Sequence, residues 1–412
     1  MTSYAEMFRV FGRIGLLSFG GPAAQIALMH KELVEERPWL SEPQFLRALS
    51  FCMLLPGPEA MQLATYAGWR MRGITGGLLA GGLFVIPGAI VIFALAFAYA
   101  SYADLMLVQA AFLGIKATVI VIVIQAIGRI ARKALRGPPD WAVAALSFIG
   151  LFALNLPFPL IIGLAAAYGA LTTRTTATGA PTALPWGMSL RVIVIGGLIW
   201  VAPLALIQGS DFLTDIWLFF SQLAVVTFGG AYAVLAYMTQ VVVVDFGWID
   251  TAQMMDALGL AETTPGPLIL VTQFVAFQSG LGEGGVWLAM QAAVLALWVT
   301  FVPCFIWIFA GAPLIDWLEG RPRVAGALSA ITAAVVGVIA NLSLWFAMHL
   351  LFAELSTRSL GPLRLLWPMW PSIDLVALGL IAMAGVLMQV LHRGLALTLV
   401  VTALAGMMIG VV

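Results

Sequence analysis

The chain has 412 residues, 62% of them hydrophobic and only 9% charged, with 19 basic residues balancing 19 acidic ones. A soluble globular domain carries roughly 25% charged residues, so this composition belongs to a polytopic membrane protein and leaves no room for a sizeable soluble domain. A net charge of zero gives no electrostatic case for nucleic acid, and His30, His349 and His392 form no metal-ligand spacing with Cys52 and Cys304; no metal or cofactor is expected.

About 20 apolar residues in helix cross a hydrocarbon core of about 30 Å. Taken in chain order, that rule predicts spans near 8–29, 45–69, 74–100, 105–128, 140–155, 157–172, 190–208, 214–238, 254–278, 285–311, 324–350, 372–390 and 394–412. The expected fold is thus an all-α integral membrane protein of about thirteen segments. The short pair 140–155 and 157–172 splits at Asn155-Leu156-Pro157, and the polar stretch from Thr172 to Ser189 reads as a linker. The organisation expected is an N-terminal repeat over 1–172, a linker plus connecting span over 173–210, and a C-terminal repeat over 211–412.

The repeat is carried by two motifs at one offset of 209 residues: Phe19-Gly20-Gly21 with Phe228-Gly229-Gly230, and Pro56-Gly57-Pro58 with Pro265-Gly266-Pro267. The same register aligns Ala24 with Ala233, Met29 with Met238, Trp39 with Trp248, Gln44 with Gln253 and Leu49 with Leu258. Shared hydrophobicity would not align Trp, Gln, Gly and Pro together. With a cytoplasmic N-terminus and 45–69 as one broken span, thirteen Lys and Arg residues fall inside and five, namely Lys31, Arg37, Arg47, Arg358 and Arg364, fall outside. That obeys the positive-inside rule. Seven spans then precede the second repeat, so the two repeats are expected to have opposite orientation.

Both Pro-Gly-Pro motifs lie at the midpoints of predicted spans. Each proline lacks an N–H and must break the helix, Gly57 and Gly266 permit unusual backbone angles, and Pro58 and Pro267 suit a helix restart. Two half-helix N-termini would then point at the midplane, each with about half a positive charge, which makes an anion site. The plain alternative is a pair of packing kinks. Lys116, central in the uncharged run 105–128, is too deep to snorkel and needs a partner; that partner is either an acid such as Glu59 or Glu262, or the anionic substrate. Glu59 and Glu262 flank the breaks and are candidates for coupling proton movement to transport. Ser18, Thr227, Gln25, Gln62, Thr263, Thr264, Gln273 and Asn341 are further polar groups at depth. The paired glycines allow close helix packing, or bare backbone for a ligand. No His, Asp or Cys cluster and no Ser/His/Asp set supports an intramembrane enzyme.

The runs Ser18-Phe19-Gly20-Gly21-Pro22, Leu54-Leu55-Pro56-Gly57-Pro58-Glu59-Ala60-Met61-Gln62, Gly114-Ile115-Lys116-Ala117, Thr227-Phe228-Gly229-Gly230 and Thr264-Pro265-Gly266-Pro267 resemble the chromate ion transporter family in its long, two-domain form. The resemblance spans nearly the whole chain. It implies an inner-membrane protein that exports chromate, driven by membrane potential or proton-motive force, and so confers chromate resistance, with sulfate as the expected competitor. Import of sulfate or another oxyanion, and a passive anion channel, are the competing expectations. A homodimer is compatible with the many surface-capable aromatic residues.

Overall fold

The protein is described by a computed structural model that covers residues 2–19, 21–173, 186–228, 231–314, 321–361 and 363–410. These residues form fifteen α-helices and one β-hairpin. The chain divides into two compact units. Unit 1 holds Met1–Ala96, Ala170–Val234 and Ala261–Gly326; unit 2 holds Phe97–Gly169, Leu235–Leu260 and Ala327–Val412. Among the described residues, four helical segments are long and apolar enough to cross a membrane, Glu59–Tyr102, Met106–Ala134, Leu268–Gly311 and Pro322–Leu351, and shorter apolar helices accompany them.

The duplication seen in sequence is a duplication of structure. Helix α2 (Gly21–His30) runs into a π-helical turn at Lys31–Glu36, and α10 (Ala231–Thr239) into one at Gln240–Asp245, again 209 residues apart. Trp39 N–H donates to Leu33 O at 3.0 Å, and Trp248 N–H to Val242 O at 2.9 Å. Helices α3 (Glu42–Leu54) and α11 (Thr251–Thr263) begin alike. The amides of Ser41 and Asp250 donate to the Oε1 atoms of Gln44 and Gln253, the return half of a capping box. The aligned Trp and Gln therefore mark local turns that each repeat needs.

The structure corrects three of the predicted spans. Helix α1 (Tyr4–Leu17) stops at Ser18, and α2 turns back beside it. Arg13 Nη1 lies 3.3 Å from Glu32 Oε1, and the Phe11 and Trp39 rings are 6.2 Å apart, whereas a straight helix would separate Arg13 from Glu32 by about 28 Å. So 8–29 is a hairpin. Glu32, 2% exposed, is matched by Arg13 and by Arg37 at 2.6 Å.

The segment 45–69 is a hairpin too, rather than one broken span. Helix α4 (Glu59–Tyr102) folds back on itself at Arg72–Gly73, and α12 (Val271–Gly311) does so at Gly284–Gly285. The second arm of α12 serves as a ruler. A Cβ at Gly57 would lie 2.8 Å from Cys304 Sγ, while Phe51, on α3, packs on Gly311. Along the first arm of α4, Thr65 packs on Gly77 and Gly81, which meet Phe309 and Phe305. Both α3 and the first arm of α4 thus leave the Pro-Gly-Pro break towards the same end. Two crossings have become two returns, so Arg72 still lies at the chain's start, donating to Thr2 O at 2.6 Å. The predicted span 214–238 is likewise interrupted, between α9 (Asp211–Val226) and α10.

The second arms of α4 and α12 are counterparts in the repeat and run antiparallel, with Gly77 at Phe309 and Gly81 at Phe305. Each carries a proline, Pro87 and Pro303, which frees a carbonyl one turn earlier. Trp200 of α8 (Trp186–Val201) donates its Nε1–H to the Val299 carbonyl that Pro303 leaves open, at 3.2 Å. Gly15 approaches the equivalent Leu83 carbonyl so closely that a Cβ would lie 2.0 Å from it.

In unit 2, α5 (Met106–Ala134) packs antiparallel on α15 (Leu395–Gly410), Gly114 against Thr402 O and Gly406 against Ala110 O. The Thr118 and Thr402 hydroxyls share a 2.8 Å hydrogen bond, a common way to join helices in a membrane. Helices α6 (Pro138–Phe152), α7 (Phe158–Thr172), α13 (Pro322–Leu351) and α14 (Leu375–Gly385) complete the helical set. Strands β1 (Leu355–Leu360) and β2 (Leu363–Pro368) pair antiparallel, Thr357 opposite Leu366.

At the open end of the first hairpin the His30 ring sits between Glu42 (2.6 Å) and Glu35 (3.0 Å). The Glu42 hydrogen bond raises the His30 pKa above its ordinary value. Its stabilisation is therefore present below the unfolded-state pKa of about 6.5 and lost as pH rises through the folded value. His30→Gln is expected to lower the melting temperature of the solubilised protein at about pH 6 and not at about pH 9. Equal shifts at both would mean that the ring acts only by packing on Phe45.

Candidate functional site

The two Pro-Gly-Pro motifs are the non-helical links that the sequence predicts. The first separates α3 from α4; the second separates α11 from a 3-10 turn at Leu268–Leu270 that leads into α12. Gly57 has φ +116° and Gly266 φ +90°, angles that favour glycine. Pro58 and Pro267 sit one residue earlier than expected, as the caps before the restarts: Gln62 N–H donates to Pro58 O at 3.1 Å, and Leu270 N–H to Pro267 O at 2.9 Å.

The breaks are bound to each other's repeat. Gly57 N–H donates to Thr227 O at 2.8 Å, and Gly266 N–H donates to Ser18 O at 2.9 Å. Each Pro-Gly-Pro thus docks on the residue that caps the C-terminus of the other repeat's first helix, Ser18 after α1 and Thr227 after α9. The amides of the two central glycines are consequently engaged by protein carbonyls. The feature of each break that favours an anion is therefore the positive end of the dipole of the restarted helix.

The Ser18 hydroxyl donates to Ile14 O at 2.6 Å, and the Thr227 hydroxyl to Leu223 O. Ser18 and Thr227 therefore serve through their carbonyls, and the expectation that they present hydroxyls to a ligand does not hold in this conformation. Gly21 has φ +80°, and a Cβ there would meet nothing within 4 Å. It makes a turn rather than a close helix contact. Gly20, Gly229 and Gly230 lie outside the described residues.

Around the breaks the repeats differ. Gln25 Nε2–H donates to Gly266 O at 2.8 Å, and Gln62 Nε2–H to Pro56 O at 2.7 Å; valines, Val234 and Val271, occupy the aligned positions of the other half. Gln62 Oε1 and Gln273 Oε1 are buried without a hydrogen-bond partner. Such acceptors suit water or a protonated ligand rather than a bare anion. Gly88 faces Pro265 O, and Cys304 faces Gly57, so the second arm of each repeat also closes on the other's break. Thr264 is buried and donates to Ala261 O at 3.1 Å. Glu262, 6% exposed, accepts from the Tyr232 hydroxyl at 2.7 Å. Glu59 occupies the first helical residue after the break, where the dipole favours its charge.

Lys116 has a partner that the sequence reading missed. Its Nζ lies 3.0 Å from Asp256 Oδ1, with the two side chains 15% and 8% exposed. Neither Glu59 nor Glu262 is that partner. Tyr99 donates its hydroxyl to Asp256 Oδ2 at 2.8 Å. The three groups lie in unit 2, where Ile115 of α5 packs tightly on Gly259 of α11. An acid inside an apolar predicted span was the signal available for Asp256. Asn341 instead lines a small cavity of unit 2 with Asn155, Tyr237 and Gln240.

The family model described as "Chromate transporter" matches residues 5–170 and 214–411. The chain belongs to the chromate transporter family. The two matched parts flank 171–213, which holds the polar linker and α8. A relative named "Probable chromate transport protein" from Synechococcus elongatus is 30% identical over 341 residues, 82% of this chain and 83% of that one. One named "Chromate transport protein" from Pseudomonas aeruginosa is 33% identical over 351 residues, 82% of this chain and 79% of its own. Another of that name from Cupriavidus metallidurans is 27% identical over 354 residues, 81% of this chain and 80% of its own. No solved structure matches the chain. Membership in this chromate transporter family, with the apolar helices, makes the protein a multi-pass membrane transporter.

Proposed function

We propose that this protein exports chromate across the inner membrane, and so confers chromate resistance, as a secondary transporter working by alternating access around an oxyanion site at the paired Pro-Gly-Pro breaks. The observation that carries this reading is the reciprocal pairing of Gly57 with Thr227 and Gly266 with Ser18. It draws two half-helix N-termini from different repeats into one arrangement, which is what broken-helix transporters use to bind charged substrates. Inverted topology of the repeats is supported by the antiparallel run of their counterpart arms. A cytoplasmic N-terminus is supported by the arginines near the chain's start. Lys116 compensates the charge of the oxyanion, and the half-buried Glu59 and the buried Glu262 are candidates for coupling to protons.

The test is uptake of labelled chromate by energised everted vesicles. Concentrative uptake that an uncoupler abolishes is the expected result. Uptake that only equilibrates would make the protein a passive anion channel, and uptake of sulfate without chromate would make it a transporter of another oxyanion.

A further inference from the structure

We propose that Asp256 is the proton-coupling residue, and that its protonation releases Lys116 from their ion pair so that the ammonium can compensate an oxyanion. This rests on the transport function proposed above and deepens it. A buried Lys–Asp pair is neutral as a unit and offers an incoming anion no net attraction. One proton on the carboxylate changes the pair from neutral to a single positive charge. The step is a plain protonation: an O–H bond forms on Asp256, the ionic contact with Nζ is lost, and no electrons move.

The geometry suits such a switch. The 3.0 Å contact to Lys116 is ionic without a well-directed hydrogen bond at Asp256 Oδ1, whereas Oδ2 is held by Tyr99 at 2.8 Å. Tyr99 keeps the carboxyl in place when the ionic contact opens, and its own ring is fixed against Phe112 at 5.5 Å. The charged and titratable groups facing Asp256 are Lys116 from α5 and Tyr99 from the end of α4. Asp250, at the start of its own helix, acts on both Asp256 and Tyr99, and Asp104 acts on Tyr99. These further acids add negative potential that favours proton arrival. By linkage, the proton and the oxyanion must each strengthen binding of the other.

Asp256→Asn tests this, because the amide copies the neutral, Tyr99-bonded carboxyl. Chromate affinity of the purified wild-type chain is expected to fall with rising pH by up to about tenfold per pH unit, the limit for one linked proton. In Asp256→Asn that slope should vanish. Chromate's own titration is common to both proteins and drops out of the comparison. Should the variant transport too slowly to assay, calorimetry of chromate binding in buffers of different ionisation enthalpy reads the same quantity. Uptake of one proton more by wild type than by Asp256→Asn would support the proposal. An unchanged slope, or unchanged proton uptake, would overturn it. If wild type neither binds nor transports chromate, the transport reading itself fails, which is a separate result.

Discussion

Lys116→Ala is expected to abolish chromate uptake by everted vesicles and to destabilise the protein. Two separable effects are combined in that substitution. Removing the ammonium leaves Asp256, 8% exposed at its side chain, as an uncompensated buried charge, a type of lesion that costs about 3–5 kcal/mol. Removing the cation also removes charge compensation for the oxyanion. The double variant Lys116→Ala/Asp256→Ala separates the two, since it contains neither charge. Its thermal stability is expected to return most of the way to wild type, because cutting both partners avoids the desolvated charge. Its uptake is expected to stay absent. Recovered uptake in the double variant would show that Lys116 serves only to neutralise Asp256.

Gly57→Ala is expected to have an effect of similar size for a different reason. At φ +116° an L-residue is strained by about 1–3 kcal/mol. The added methyl would also lie 2.8 Å from Cys304 Sγ and 2.9 Å from Gln62 Nε2, an overlap that costs about 1–3 kcal/mol more. Relief of the first requires new backbone angles at Gly57, whose N–H makes one of the two hydrogen bonds joining the repeats at the site, and relief of the second requires Cys304 and Gln62 to shift, Gln62 from its hydrogen bond to Pro56 O. Uptake below about a tenth of wild type is the expected readout, equivalent to about 1.4 kcal/mol. Gly282→Ala is the control. That glycine is exposed in helix α12, and a Cβ there would meet nothing within 4 Å, so stability should hold or rise slightly. Wild-type uptake by Gly57→Ala would remove the break from the transport site.

Both predictions draw on residues that were legible in sequence to different degrees. Pro56-Gly57-Pro58 and its copy announced their backbone geometry, because proline and glycine restrict or free φ wherever they stand. Lys116 announced a need for a partner, because an ammonium inside an apolar run is costly in any fold. Neither Asp256 nor Tyr99 could be matched to it by spacing, since 140 and 17 residues of chain separate them from Lys116. The hairpins at Ser18 and at Pro-Gly-Pro have the hydropathy of crossings for a related reason. Hydropathy reports that a segment is buried in apolar surroundings; it does not report whether the chain continues or turns back within them.

By itself, then, the sequence determined what depends on local chemistry. It established membrane residence from composition, the duplication from aligned Trp, Gln, Gly and Pro, the two helix breaks, and the buried cation. Only the tertiary structure decided which groups meet. It engaged the Gly57 and Gly266 amides with Thr227 and Ser18, gave Lys116 to Asp256, and turned two expected crossings into hairpins. The division has a physical cause. Backbone dihedral preferences and transfer free energies belong to single residues, whereas hydrogen bonds and ion pairs depend on distances that only packing between remote parts of the chain can set.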